Sequence, residues 1–300
     1  MFNKALLVFN SQAGQAQTSK QVAAATSILA ASLPELQLMQ IQEQGGGERI
    51  CRERGEGLDL LIIMGGDGTV HECVNGLKDL EAPPVVAIIP TGTCNDFSRS
   101  LGMPQTVEGA ARAILDGRTH AVDIGMVNDR LFTNFFGLGL ITEASENVHA
   151  RLKNMFGRLS YLIRTLQTIG STSPFSYKLS WSEGELEGEA VMIYVSNGRY
   201  LGTRQLPFAD DCLHDGKFDV LILQQAGLSL LRELLASRSA SNRNWKPSSD
   251  TFSYIQCDQL TLTTSLPMEG DTDGEIYTTT PAELALNRHK LTFIVGDSYS

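Results

Sequence analysis

Residues 60–72 read LLIIMGGDGTVHE, an apolar run from Leu60 to Met64 that stops at Gly65-Gly66-Asp67-Gly68-Thr69. A short, uniformly apolar segment bounded by glycine reads as a strand, and VHECVNGLKDL behind it has helical character. Strand, glycine turn and helix together form the repeating unit of a parallel sheet wrapped by helices. In such sheets ligands bind at the carboxyl ends of strands, where glycine lets backbone N–H groups approach phosphate. The turn is therefore a candidate phosphate site, and Asp67 is the residue that needs a reason. A carboxylate repels a bare polyphosphate; it fits if a magnesium ion or a reacting hydroxyl stands between them. The alternative is a tight strand-to-helix turn in which Asp67 serves as a helix cap.

The same alternation extends on both sides. KALLVFN (4–10), a helix from about Ser19 to Leu33, LQLMQI (36–41) and VVAIIP (85–90) are followed by a helix near 105–116 and a strand near 119–126. VVAII leads into a second turn, Pro90-Thr91-Gly92-Thr93-Cys94-Asn95-Asp96-Phe97, where Thr93 or Asn95 is a candidate helix cap. Ordinary capping is the alternative for this loop, but two phosphate-type turns on adjacent strands weigh more than one. The first strand ends at Asn10-Ser11-Gln12-Ala13-Gly14, for which a plain loop is an equal reading. No GxxxxGK[ST] motif and no GxGxxG after a strand is present, so P-loop and dinucleotide readings lose their main support.

Beyond residue 126 strand-like segments dominate: RLFTNFF, FSYKLSW, EAVMIYVSN, KFDVLIL, DQLTLTTS and KLTFIV. Helical insertions are predicted around 143–169 and 227–238, and SRSASNRNWKPSSD (237–250) reads as a surface loop. The expected fold is an α/β N-terminal domain with a parallel sheet over 1–126 and a mainly β C-terminal sandwich domain over 127–289.

Composition fits two domains: 300 residues with 42% hydrophobic content fill real cores. A net charge of −10 argues against a nucleic-acid partner, because no wide basic footprint is available to release counterions. No apolar run reaches the roughly 18 to 20 residues that cross a bilayer, and the start MFNKALLVFNSQAGQ turns polar too soon for a signal peptide, so a cytoplasmic protein is expected. The five cysteines lack paired spacing and read as reduced structural thiols.

These motifs resemble the diacylglycerol kinase catalytic-domain superfamily, in particular its soluble bacterial lipid kinases, which are related to sphingosine and ceramide kinases and to NAD kinases. The resemblance rests on GGDGTVHE (65–72), PTGTCNDFSR (90–99), VDIG (122–125), NGRYLGTRQLPFADDCLHDGKFDVLIL (197–223), and DTDGE (271–275) followed by Thr280-Pro281. It implies a nucleotide-binding α/β domain and a β-rich domain, with ATP and lipid meeting in the cleft between them, and a last strand near 290–300 that can return to the first domain. ATP would be cradled by Asn10, Gly14, Gly65, Gly66, Gly68, Thr69, Thr91, Gly92, Thr93 and Asn95, with Asp67 engaging its phosphates through Mg2+. The first turn departs from the family's Asn-Pro-x-Ser-Gly at Ser11 and Ala13, while Asn10 and Gly14 match.

Two acidic turns lie late in the chain, Asp210, Asp211 and Asp215 in FADDCLHDGKFD and Asp271, Asp273 and Glu275 in EGDTDGE. By resemblance Asp273 is the general base, and Asp215 and Glu275 belong to a water-bridged magnesium network. A lipid hydroxyl has a high pKa, so a carboxylate that accepts its proton suits the transfer. Asp-Gly pairs are also common hairpin turns, which is the structural alternative. His71 and Glu72, just past the first glycine turn, are read as structural.

From Glu146 to Glu183 no acidic residue intervenes, while Arg151, Lys153, Arg158, Arg164 and Lys178 do. Within 149–169 an apolar stripe runs beside these cations, a pattern suited to peripheral contact with an anionic membrane or to packing on the protein's own β-domain. The expected activity is ATP- and magnesium-dependent phosphorylation of a lipid hydroxyl, diacylglycerol leading. An NAD kinase-like enzyme and a silent nucleotide-binding regulator are the rivals. The acceptor lipid and the oligomeric state stay open.

Overall fold

The structure is a computed structural model that describes residues 2–10, 15–142, 173–206, 213–224 and 252–299. Gly14, Asp210, Asp211, the segment 149–169, the expected helical insertions and the 237–250 loop lie outside the described residues. The chain divides into two compact units, residues 1–122 with 289–300, and residues 123–288.

Unit 1 alternates strands and helices: β1 (Lys4–Asn10), α1 (Gln15–Leu29), β2 (Glu35–Ile41), α2 (Gly46–Arg54), β3 (Leu60–Gly65), α3 (Asp67–Leu77), β4 (Val85–Pro90), α4 (Asp96–Ser100) and α5 (Val107–Asp116). The strands pair in parallel in the order β2-β1-β3-β4. β3 is buried at all six positions, the uninterrupted apolar pattern of a strand covered on both faces. Each buried Leu or Ile contributes about 1.5 to 3 kcal/mol. Helix α5 shows how sequence sets its ends: Thr106 accepts the Gly109 N–H at the start, and Gly117, in the left-handed region, closes it.

β5 (Thr119–Val127) leads into unit 2. There follow β6 (Arg130–Phe132), β7 (Phe135–Gly139), β8 (Phe175–Trp181), β9 (Gly184–Ala190), β10 (Met192–Ser196), β11 (Tyr200–Leu201), β12 (Arg204–Gln205), β13 (Phe218–Leu223), β14 (Phe252–Cys257), β15 (Gln259–Thr264), β16 (Glu269–Thr272), β17 (Glu275–Thr279) and β18 (Ala282–Ile294). One sheet of unit 2 runs β14-β13-β10-β7-β16-β17, and a second aligns the start of β18 with β15, β8 and β9. Among the described residues, the pairings within these two sheets are antiparallel. Alternate residues of both sheets, among them Phe136, Leu138, Val195, Val220, Leu179 and Leu262, form one buried core, so unit 2 is a sandwich. The far end of β18 belongs to unit 1, where Phe293 pairs in parallel with Val86 of β4. The fold is thus an α/β domain with a parallel sheet and a mainly antiparallel β domain, as the alternation of patterns predicts.

Among the described residues no helix is long and apolar enough to cross a membrane.

Candidate active site

In unit 1 the two glycine turns leave the sheet side by side. Gly65 pairs with Pro90 across β3 and β4, and the Thr91 N–H donates to the Gly65 carbonyl at 3.0 Å. A Cβ on Gly92 would stand 2.5 Å from the Gly66 Cα and 2.8 Å from Asn95 Oδ1, and one on Gly65 would stand 2.5 Å from the Thr69 Cβ. Backbone has replaced side chain here, and that is the physical reason for the glycines. Asn10 ends β1 one residue past the Phe9–Met64 pair, at the same end of the sheet.

Asn95 occupies the N-cap position of α4 in the left-handed region (φ 54°) but does not cap it. Its Oδ1 accepts the Gly92 N–H at 2.9 Å and its Nδ2 donates to the Gly92 carbonyl at 3.0 Å, a reciprocal pair that locks the turn. The acceptor for α4 comes instead from the other turn: Asp67 Oδ1 takes the Phe97 N–H at 3.2 Å. Asp67 is therefore a cap, but of the neighbouring helix rather than its own, and it ties the two turns together. The N-cap of helix α3 is Gly66, which offers its first-turn amides no side-chain acceptor, and Gly68 beside it is partly exposed.

The residues just past the turn make contacts that hold the fold. Glu72 accepts the Gly45 and Gly47 N–H groups at 3.0 and 2.9 Å and so caps α2, while His71 is buried and accepts through its carbonyl from Asn75.

In unit 2 the Asp-Gly hairpin reading describes the backbone well. Thr272 pairs with Glu275, and Asp273 and Gly274 both have positive φ (54° and 92°), the geometry of a two-residue turn. The Asp273 side chain does more. It is 1% exposed, and its Oδ2 accepts the Thr133 N–H (2.7 Å) and hydroxyl (3.0 Å) while Oδ1 accepts the Asn134 (2.8 Å) and Phe135 (3.0 Å) N–H groups. These bonds draw on all the lone-pair directions of a carboxylate.

From this centre the network reaches the other acidic turn. Asn197 Nδ2 donates to the Thr133 and Asp123 carbonyls (2.9 and 3.1 Å), and the Asp123 carboxylate accepts the Gly216 N–H at 2.9 Å, next to Asp215. Loss of water raises the Asp215 carboxyl above its ordinary range; the Lys217 N–H opposes the rise, and Asp123 adds to it. Glu275 is half-buried at the start of β17. Sequence reasoning gave no role to Asp123, Thr133, Asn134 or Asn197. The signal for Thr133-Asn134 was the polar pair that interrupts the apolar run RLFTNFF.

Asp219 was also missed. It is buried, with Tyr254 Oη donating to its Oδ1 at 2.5 Å and Gln256 Nε2 at 2.8 Å. Burial lifts its carboxyl from 3.8 to about 6, against the pull of these two donors, and Asp215 adds to the rise. The native state therefore keeps a proton that the unfolded chain has released. Stability is highest below the unfolded value and falls as pH climbs from about 4 through 6, then levels off. Asp219→Asn keeps the acceptor oxygen without the charge. We expect it to be more stable than the parent by about 1 to 3 kcal/mol at pH near 8, with no gain near pH 4. Urea melts at both pH values check this, and equal midpoints near pH 8 would refute it.

Comparison with known proteins agrees with the fold. Residues 4–127 match the family described as "Diacylglycerol kinase catalytic domain", and residues 137–295 match "YegS C-terminal NAD kinase beta sandwich-like domain". A Staphylococcus carnosus protein named "Putative lipid kinase" is 30% identical over 99% of this chain and 98% of its own length. A Staphylococcus aureus (strain Newman) protein of the same name is 29% identical over 94% of each. A crystal structure titled "a putative diacylglycerol kinase from Bacillus anthracis str. Sterne" superposes with a TM-score of 0.89 at 34% identity, covering 100% of this chain and 97% of that one. With its paired glycine turns on a parallel sheet and its acidic hairpin in a β-sandwich, the chain belongs to the diacylglycerol kinase catalytic-domain family and carries the YegS-type C-terminal domain.

Proposed function

We propose that the protein transfers the γ-phosphoryl group of ATP to a lipid hydroxyl in a magnesium-dependent reaction, with diacylglycerol as acceptor and phosphatidic acid as product. The observation that carries this reading is the contact of the two turns at Gly66 and Gly92 beside the uncapped start of α3. It provides amides without side chains in the way, which suits a triphosphate. Gly65, Gly66, Gly68, Thr69, Thr91, Gly92, Thr93 and Asn95, with Asn10 and Gly14, are assigned to the nucleotide.

Magnesium prefers substrate phosphates, water and one or two carboxylates over an all-protein cage. Asp67, partly exposed at the turn, fits that habit. Asp67 is assigned to magnesium at the nucleotide phosphates, whose charge the ion would neutralise when bound, and Asp215 and Glu275 are assigned to a water-bridged magnesium network. Phosphoryl transfer asks mostly for positioning and charge neutralisation, which such residues supply.

Asp273 is assigned to the acceptor hydroxyl's proton. Three of its four donors are backbone N–H groups and cannot leave without refolding the Thr133–Phe135 turn; the Thr133 hydroxyl can rotate away. The lipid hydroxyl would take that place on Oδ2. Segment 149–169 is assigned to membrane contact, on its sequence alone.

The test is a panel of lipid micelles incubated with γ-labelled ATP and magnesium. Label is expected in phosphatidic acid and is expected to vanish with a chelator. Label in NAD with unlabelled lipids, or no labelled acceptor at all, would overturn the reading.

A further inference from the structure

We propose that the loop 265–268, Ser-Leu-Pro-Met, is a docking tip that seats in the face of a lipid bilayer; this deepens the lipid-kinase reading and rests on it. The loop joins β15 to β16 where the chain crosses from one sheet of the unit 2 sandwich to the other. Leu266 is 74% exposed, the most exposed of the large apolar side chains among the described residues, and Pro267 beside it is exposed too.

A single exposed leucine is ordinary. This one is held out by bonds on both sides. The Met268 N–H donates to Thr280 Oγ1 at 2.9 Å, the Thr280 and Thr264 hydroxyls share a short hydrogen bond, and Thr264 Oγ1 donates to the Leu266 carbonyl at 2.6 Å. The Ser265 N–H donates to the Ser176 carbonyl (3.2 Å) and the Thr280 N–H to the Met268 carbonyl (2.9 Å). The backbone around Leu266 is thus fixed before any contact, so docking has little left to order.

Charge and length identify the occupant as a bilayer. From Gln259 to Met268 the sequence QLTLTTSLPM carries no charge, in a chain whose net charge is −10. Such a tip approaches anionic headgroups without the repulsion that acidic surface would meet. It is also bonded to two distant points of the chain: the Thr142 hydroxyl donates to the Glu269 carbonyl at 3.3 Å, and Ser176 holds Ser265. Between those points the sequence 147–175 carries Arg151, Lys153, Arg158 and Arg164 and no acidic residue. The basic stretch therefore leaves and rejoins the sandwich beside Leu266.

Length agrees. β16 leads from the loop to Asp273, and the steps from Leu266 to Asp273, at about 3.3 Å per residue, reach about 23 Å at most. One leaflet of a bilayer, headgroups included, is roughly 20 to 22 Å thick. A lipid lying along this hairpin with its hydroxyl at Asp273 would still have its chain ends at Leu266, in the membrane that supplied it.

Co-sedimentation of the full chain with vesicles of phosphatidylcholine, phosphatidylglycerol and diacylglycerol, without ATP, tests the tip. Leu266→Asp should weaken binding by at least about tenfold, the scale of one leucine withdrawn from an apolar medium. The gap should persist in about 1 M salt, where screening over about 3 Å silences contacts made by charge alone. Leu266→Trp should bind at least as well as the parent, and its emission should shift to the blue on vesicles. With labelled ATP, Leu266→Asp should lower kcat/KM about tenfold for diacylglycerol in vesicles and leave it unchanged for a dispersed short-chain diacylglycerol. A parent that binds vesicles through Leu266 but labels no lipid would uphold the tip and sink the kinase reading. A parent that ignores vesicles, or a Leu266→Asp protein that binds them as tightly as the parent, as when the leucine meets another protein instead, overturns the proposal.

Discussion

Asp273→Asn is expected to lose about 1 to 3 kcal/mol of folding stability together with its kinase activity. The reason is the set of donors around the carboxylate. Three successive backbone N–H groups, of Thr133, Asn134 and Phe135, and the Thr133 hydroxyl all point at its two oxygens. An amide keeps one oxygen and replaces the other with a donor, so at least one buried N–H is left facing another N–H. The Thr133 hydroxyl can turn to accept, but a backbone amide cannot. Thr133→Val, which removes only the hydroxyl, should cost about 1 kcal/mol by comparison. Urea unfolding of the two variants, beside a labelled-ATP assay, separates the roles. A residue that only accepts a proton would lose activity at an unchanged midpoint. An Asp273→Asn protein that unfolds at the parent's urea concentration would therefore remove the account of this carboxylate as the anchor of the turn.

The fold was readable because its signals are local. Uninterrupted apolar runs such as Leu60–Met64 become strands buried on both faces, and glycine marks where they stop. Alternating runs such as FSYKLSW become sandwich strands with one face in the core. Bounds were less legible: α1 begins at Gln15 and ends at Leu29, earlier than the apolar spacing from Ser19 to Leu33 predicts. In the site, the glycine turns announced themselves by residue type. What each polar side chain bonds did not, because those partners lie far away in the chain. Asp67 caps a helix thirty positions on, Glu72 caps one that precedes it, and Asp273 holds a turn 138 to 140 positions earlier. Asp219 carried no local mark either, since its raised carboxyl follows from burial on β13 between neighbouring strands.

Gly92→Ala should lower kcat/KM for ATP by at least ~100-fold, the scale of loss that an ångström of misplacement brings to a positioned reaction. The methyl group would sit 2.5 Å from the Gly66 Cα and 2.8 Å from Asn95 Oδ1. Neither can yield cheaply. Gly66 is backbone with nothing to trim, so no smaller residue at 66 can relieve the contact. Asn95 is bonded at both ends of its amide to residue 92 itself, and moving it breaks the lock on the turn. Gly92 has no positive φ, so alanine meets no backbone strain, and the effect isolates the steric contact. The two turns must part, and the Asp67 bond to the Phe97 N–H stretches with them. Overpacking of this kind costs about 1 to 3 kcal/mol of stability, less than would unfold an ordinary domain. Gly188→Ala, where only the Tyr177 side chain comes within 4 Å and then no nearer than 3.8 Å, is the control and should change neither quantity. Steady-state kinetics in ATP at saturating lipid read the difference. If Gly92→Ala keeps kcat/KM for ATP within about threefold of the parent, then the nucleotide is not held where the turns touch, and the assignment of both glycine loops to phosphate fails with it.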